Sequence, residues 1–323
     1  MRSRLVSARI ITLLVLMRMS ADLTYPRKTG LPVLNRRLIW LIGAYGGLTS
    51  VELVALTGQE KAQISRAVQT LSAANLIERA SLRARIRLSA AGRAAHELLV
   101  PIARERNDAI WRGIARAEHE RFVVMSQALI DRARLLFRQE RDAGLQPPGS
   151  QPDTDMIDLP VFPETGVRLT LIAPILMTLS AYLNRSATIA FRRETGLTKF
   201  IWQILSQIGE HQPITLARLI ALSYRDKSQV GRAVKWLASE GIVTREKRRG
   251  RRDVTLACTP RGDDMYAMMC AIARDRDDAL CADLSDRERQ AYIATLDRIT
   301  ANAAALLARE RATPLDRPMA PAL

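Results

Sequence analysis

Residues 49–79 read TSVELVALTGQEKAQISRAVQTLSAANLIER, and residues 215–245 read TLARLIALSYRDKSQVGRAVKWLASEGIVTR. Sliding the chain by 166 lays one on the other without a gap, and eleven of the thirty-one pairs are identical, where unrelated stretches give roughly two or three. The identities include Thr49/Thr215, Leu53/Leu219, Lys61/Lys227, Gln63/Gln229, Arg66/Arg232, Val68/Val234, Leu71/Leu237 and Arg79/Arg245. A match of this length predicts one folding unit written twice.

The stretch itself divides into elements. Thr49 or Ser50 can cap a short helix that buries Leu53 and Leu56 and stops at Gly58, because glycine takes the left-handed conformation that ends helices. A further helix starts near Glu60. Its inward positions are Ile64, Ala67, Val68 and Leu71, which leaves Lys61, Ala62, Gln63, Ser65, Arg66 and Gln69 on the other face. Copy two buries Val230, Ala233, Val234 and Leu237 and presents Lys227, Ser228, Gln229, Arg232 and Lys235.

Upstream, Leu34, Leu38, Leu41 and Tyr45 recur at helical spacing and end at Gly46-Gly47. Downstream, residues 76–79 and 85–88, with 242–245 and 253–256 in copy two, are short alternating stretches suited to a β-hairpin. Each unit closes on a long amphipathic pair, 90–114 with 117–141 and 260–284 with 286–311. Here the register moves to 170: Ile102-Ala103-Arg104 meets Ile272-Ala273-Arg274, and Glu140-Arg141 meets Glu310-Arg311. At the other end, Leu16-Met17 with Ser20-Ala21 matches Leu176-Met177 with Ser180-Ala181 at 160.

Between the copies, Pro147-Pro148-Gly149-Ser150, Pro152, Pro160 and Pro163 resist helix and read as a linker. The expected organisation is therefore a first unit over 1–143, a linker over 144–166, a second unit over 167–312 and a tail over 313–323.

The chain holds 49 Lys and Arg against 33 Asp and Glu, a formal charge of +16, which calls for an anionic partner. Cys258, Cys270 and Cys281 form no C-x-x-C pair, and His96, His119 and His211 are scattered. Neither a disulfide framework nor a metal site is expected, and a reducing, cytoplasmic setting is. No nucleophile elbow, H-E-x-x-H or phosphate loop stands in the chain, so neither enzymatic chemistry nor a cofactor is expected. Arg2, Arg4 and Arg9 before the apolar run 10–17 imitate a targeting segment. That run is too short to span a bilayer, and its match in copy two makes it half of a repeated element.

Helix, helix, helix, hairpin is the order of a winged helix-turn-helix, whose third helix reads the major groove. The expected fold is mainly α, a tandem duplication of that domain whose long flanking helices form a pseudo-dimer within one chain. The chain resembles the multiple-antibiotic-resistance regulator (MarR) family twice over. The resemblance rests on Asp226-Lys227-Ser228-Gln229-Val230-x-Arg232, Leu237-x-x-x-Gly241-Ile242-Val243, Thr259-Pro260-x-Gly262 and Ala273-Arg274-x-Arg276, with weaker counterparts in copy one ending at Ser89-Ala90-Ala91-Gly92. Wings in that family carry an Asp-x-Arg element nine residues before the Thr that opens the long helix. Gly250 stands there, followed by Arg251 and Arg252, and Ala80 stands there in copy one, whose hairpin is four residues shorter. The two halves are not expected to grip DNA equally.

Gln63 with Arg66, and Gln229 with Arg232, pair two residues that read adenine and guanine edges, the alternative being solvated helix faces. Arg248, Arg249, Arg251 and Arg252 form a basic cluster fit for phosphate or a narrow minor groove. Arg83, Arg85 and Arg87 share one strand face, as a phosphate track or as solvated charge. The resemblance implies a small aromatic or phenolic effector near Trp40 and Trp202, against which stands ordinary core packing. Cys270 reads as inert and buried.

The expected function is sequence-specific binding of double-stranded DNA by a transcriptional regulator, a repressor, with no membrane role. The protein is expected to be a monomer with an internal pseudo-twofold, a homodimer remaining open. A tandem winged-helix replication initiator and a protein-interaction adaptor are the rival readings.

Overall fold

Glycines and hydroxyls punctuate the chain where the sequence places them. In the computed structural model, which describes residues 5–81, 84–143, 171–223, 226–247 and 254–313, α1 (Val6–Thr29) ends at Gly30 and α2 (Val33–Tyr45) at Gly46, both with φ near +68°. Thr49 caps α3 (Ser50–Thr57) in a reciprocal box with Glu52, and Gly58 closes it at φ +65°. Glu60 precedes α4 (Lys61–Ala73) without a side-chain cap. The hairpin β1 (Ile77–Glu78) and β2 (Arg87–Leu88) pairs antiparallel, Ile77 facing Leu88. The long helices α5 (Ala90–Trp111) and α6 (Arg116–Ala143) follow.

Copy two repeats the order: α7 (Ile172–Thr195), α8 (Lys199–His211), β3 (Ile214–Thr215), α9 (Leu216–Ser223), α10 (Lys227–Ser239), β4 (Val243–Lys247), β5 (Val254–Cys258), α11 (Pro260–Leu280) and α12 (Asp286–Ala312). Two winged-helix units in tandem, mostly helical with small antiparallel sheets, are the fold class expected from the sequence. The structure adds a third strand, β3, which pairs with β5 through Ile214 and Leu256. In copy one the same place is a single bridge, Leu48 to Ile86.

One register changes. α1 and α7 are both 24 residues long and begin, end and meet their terminal glycines 166 apart. Their buried positions coincide at that spacing, Val6 with Ile172, Ile10 with Leu176, Leu13 with Leu179 and Ser20 with Ser186. The offset of 160 from the Leu-Met pairs is thus incorrect. A helix turns once in 3.6 residues, so a slip of six displaces its faces by about a third of a turn.

The joint between hairpin and long helix is built identically twice. The hydroxyls of Ser89 and Thr259 donate to the carbonyls of Asn75 and Gly241, at 2.5 and 2.7 Å, and accept from the amides of Gly92 and Gly262. A Cβ on Gly92 would run into the Leu76 carbonyl, and one on Gly262 into that of Ile242. Asn75, at φ 54°, stands where copy two has Gly241 at φ 66°.

The chain divides by contact into two compact units. Unit one holds Met1–Phe137, Gln146–Arg185 and Leu280–Leu323; unit two holds Arg138–Leu145 and Ser186–Ala279. In unit one α12 runs along α1 and packs on α5, so the terminal helices of the chain interlock. At its centre Phe122 and Tyr292, both fully buried, stack with centroids 4.4 Å apart and planes 3° from parallel. The Tyr292 hydroxyl bonds the Ser126 hydroxyl at 3.0 Å. Phe122 and Tyr292 are repeat counterparts, 170 apart, as are Ser126 and Leu296.

Unit two is centred on Leu205, Ile208, Leu219, Val230, Val234, Leu237 and Leu256. Each such side chain contributes about 1.5–3 kcal/mol by burial, which fixes α8, α9 and α10 around one core. No described helix is long and apolar enough to cross a membrane.

Candidate nucleic-acid interface

The faces of the third helices divide as their apolar spacing requires. On α4, Ile64, Ala67, Val68 and Leu71 are buried, and Lys61, Ala62, Gln63, Ser65 and Arg66 are exposed. On α10, Val230, Ala233, Val234 and Leu237 are buried, Lys227, Ser228, Arg232 and Lys235 exposed, and Gln229 half-buried. Each unit therefore presents a continuous polar and basic helix face.

The first turns differ. The Asp226 carboxylate accepts from the amides of Ser228 and Gln229 at 2.8 and 3.1 Å. Such a cap satisfies donors that the helix cannot and is worth roughly 1 kcal/mol. Glu60, its counterpart, makes no such bond. Trp236, absent from the sequence reading, is 41% exposed on α10, a turn beyond Arg232, where copy one has Thr70.

Arg85 and Arg87 are exposed on either side of buried Ile86, the alternation expected of that strand. Arg85 is also committed: its Nε donates to the Gly47 carbonyl at 3.2 Å and its Nη2 to Glu52 at 3.5 Å. At the place of Glu52 copy two has Arg218, which is exposed. Arg85 of the first wing thus faces an acid, and the second unit has a further cation in that acid's place. Arg83, Arg248, Arg249, Arg251 and Arg252, like linker 144–166, lie outside the described residues.

The two tryptophans are not equivalent. Trp40 falls on Ser206 and Trp202 on Arg36 at the spacing of 166 that relates α2 to α8, so they sit one turn apart. Trp40 stacks on His96 at 5.3 Å, and Trp202 packs on Phe191 at 4.7 Å. Burial raises the Cys258 thiol to about 11, with Asp263 adding to the effect. Cys270, expected to be buried, is only half so.

A family model described as MarR family matches residues 29–85, and one described as a winged helix DNA-binding domain matches residues 197–262. Comparison with curated proteins finds no match. Among solved structures, the chain is similar to Staphylococcus aureus MarR in complex with salicylate and kanamycin. That match has 23% identity and a TM-score of 0.34, over 36% of this chain and 81% of that one. A MarR protein from Peptoclostridium difficile matches at 22% identity and a TM-score of 0.37, over 43% and 90%. A putative MarR family regulator from Listeria monocytogenes, complexed with a 26mer DNA, matches at 19% identity and a TM-score of 0.37, over 45% and 98%. The MarR family model thus falls on the helices and the start of the hairpin in copy one, and the winged helix DNA-binding domain model on the equivalent segment of copy two, so the chain carries two winged-helix units, the first of them similar to the MarR family.

Proposed function

We propose that the protein is a repressor that reads an imperfect palindrome with two unequal recognition helices in one chain. The observation that carries this reading is the repeated exposed face of α4 and α10, with glutamine and arginine at the same two positions in each. In a major groove these pair with adenine and guanine respectively. Lys61, Ala62, Gln63, Ser65 and Arg66 would read one half-site, and Lys227, Ser228, Gln229, Arg232 and Lys235 the other. Arg83, Arg85 and Arg87 on one wing, and Arg248, Arg249, Arg251 and Arg252 on the other, would hold backbone or minor groove. Occupancy of a promoter by such a monomer, with half-sites roughly 34–36 Å apart, blocks transcription. The unit boundaries of the repeat, 1–143 and 167–312 with the linker between, belong to the same proposal.

A small aromatic or phenolic effector is part of this reading. The Staphylococcus aureus relative is in complex with salicylate, and the Trp202 Nε1 hydrogen is buried without an acceptor, a donor suited to a phenolic oxygen.

Selection of bound fragments from random DNA tests the function. One asymmetric inverted repeat is expected. Arrays of direct repeats would establish a replication initiator, and no enrichment an adaptor. On the selected site, Arg232→Ala should weaken binding by about 1–3 kcal/mol and relax one base pair. Equal loss on random DNA would make Arg232 a phosphate contact.

A further inference from the structure

The same four residues meet in both units. In unit one the Arg106 guanidinium of α5 is buried: its Nη1 donates to Glu310 Oε1 at 2.5 Å and Thr24 Oγ1 at 3.0 Å, and its Nη2 to Ser20 Oγ at 2.9 Å and the Met17 carbonyl at 3.1 Å. The Ser20 and Thr24 hydroxyls donate to the same carboxylate, and Arg27 reaches the Glu310 backbone carbonyl at 3.1 Å. In unit two the Arg276 guanidinium of α11 donates to Glu140 Oε1 at 2.8 Å and to the Ser186 hydroxyl, while Arg193 holds Glu140 Oε2 at 2.5 Å. Ser20/Ser186 and Arg27/Arg193 lie 166 apart, Arg106/Arg276 and Glu140/Glu310 170 apart.

The carboxylates are exchanged. Serine and arginines come from the copy whose recognition helix belongs to that unit, whereas the acid comes from the last helix of the other copy. Buried ion pairs add little net stability against apolar packing, yet removing one partner leaves a costly bare charge. Keeping the arrangement twice therefore points to fixed geometry rather than to stability. That geometry has a route to the reading surface. Arg106 lies fourteen residues along α5 from Gly92, where α5 meets the hairpin, about 21 Å at 1.5 Å per residue. The Tyr25 ring also lies under both Arg106, at 5.7 Å, and Arg36 of α2, at 4.4 Å.

We propose that Glu310 and Glu140 are crosswise positioning residues: Glu310, written in copy two, sets the placement of copy one's winged helix, and Glu140, written in copy one, sets that of copy two. The inference rests on the DNA-reading function for its consequence at the operator, but not for its structural content. A change in the second repeat should thus damage the half-site read by the first.

The test uses full-length Glu310→Gln and Glu140→Gln on the selected DNA, with half-sites assigned by Arg66→Ala and Arg232→Ala. Glu310→Gln should weaken discrimination at the Arg66 half-site at least fivefold and leave the Arg232 half-site within twofold; Glu140→Gln should do the reverse. Hydrogen exchange without DNA separates this inference from the function. Glu310→Gln should speed exchange in 61–73 and 90–106 and leave 227–239 unchanged, and Glu310→Asp, milder by one methylene, should do the same if the glutamine variant unfolds. The paired reversal Arg106→Glu with Glu310→Arg should restore the slow exchange. Equal effects on both copies, or effects confined to the mutated copy's own helices, overturn the proposal. Should wild type bind no DNA while the exchange pattern is crosswise, the DNA reading fails and this inference stands.

Discussion

His96 and His119 illustrate how single residues register the packing around them. The His96 ring fills the space left by Gly43 and stacks on Trp40, and His119 stacks on Trp111 at 3.8 Å. Burial is the largest influence on each and lowers both below the ordinary value of 6.5. The folded protein then resists protonation that the unfolded chain accepts. Stability is present above about pH 6.5 and falls as the pH drops through that value. Thermal melts at pH 7.5 and 5.5 should show the loss, and replacing both histidines by Phe should shrink it; an unchanged difference would place the sensitivity elsewhere. Glu52 is a second case. Glu52→Gln keeps the capping box, since glutamine serves equally at that position, but removes the charge facing Arg85. The log-affinity against log-salt slope should steepen by up to about 0.9 as Arg85 becomes available to a phosphate, with melting unchanged.

Among elements, the helices were legible and the strands less so. Gly30, Gly46, Gly58, Thr49 and Asp226 mark helix ends by local chemistry, which a sequence states directly. The strand β3 is two residues long, and nothing in Ile214-Thr215 alone distinguishes a strand from the turn before α9. The Leu-Met pairs do not mark the α1 register, because they recur at a spacing unrelated to the buried face. The wings differ in extent, two-residue strands in copy one against five-residue strands in copy two. On that basis, changing Arg251 and Arg252 together to Ala should lower the salt slope by roughly 1–2, and changing Arg83 and Arg85 by less. A larger drop from the first-wing pair would reverse the assignment of the principal clamp.

For the whole molecule, the duplication was legible in identities that hold at 166 over the winged-helix segments and at 170 over the long helices, and so was the packing of the flanking helices on one another, while the pairing of individual charges was not. Arg106/Arg276 and Glu140/Glu310 are repeated charges on otherwise amphipathic helices, which is the signal that marks them. Which acid meets which arginine is a tertiary fact, since either carboxylate satisfies the pattern. With α1 and α12 already packed together, the purified protein should scatter light as a 36.0 kDa monomer at micromolar concentration. A mass near twice that value would mean that chains pair.

The stacked rings of Phe122 and Tyr292 carry an evolutionary consequence. In a homodimer, a residue on the symmetry axis meets its own copy, so every substitution there happens twice and must suit itself. Fusion lifts that demand. Here one partner is Phe beside Ser126, and the other is Tyr beside Leu296, the counterpart of Ser126. The hydroxyl that one side carries is met by a serine that stands only on the other. Restoring symmetry should therefore harm the chain: Phe122→Tyr places a second buried hydroxyl on the side of Leu296, and should cost about 1–3 kcal/mol in denaturant melts. Adding Leu296→Ser should recover part of that loss. Duplication in one chain thus lets the two sides of a contact between repeat counterparts differ as lock and key, a freedom closed to a protein that must dimerise with itself.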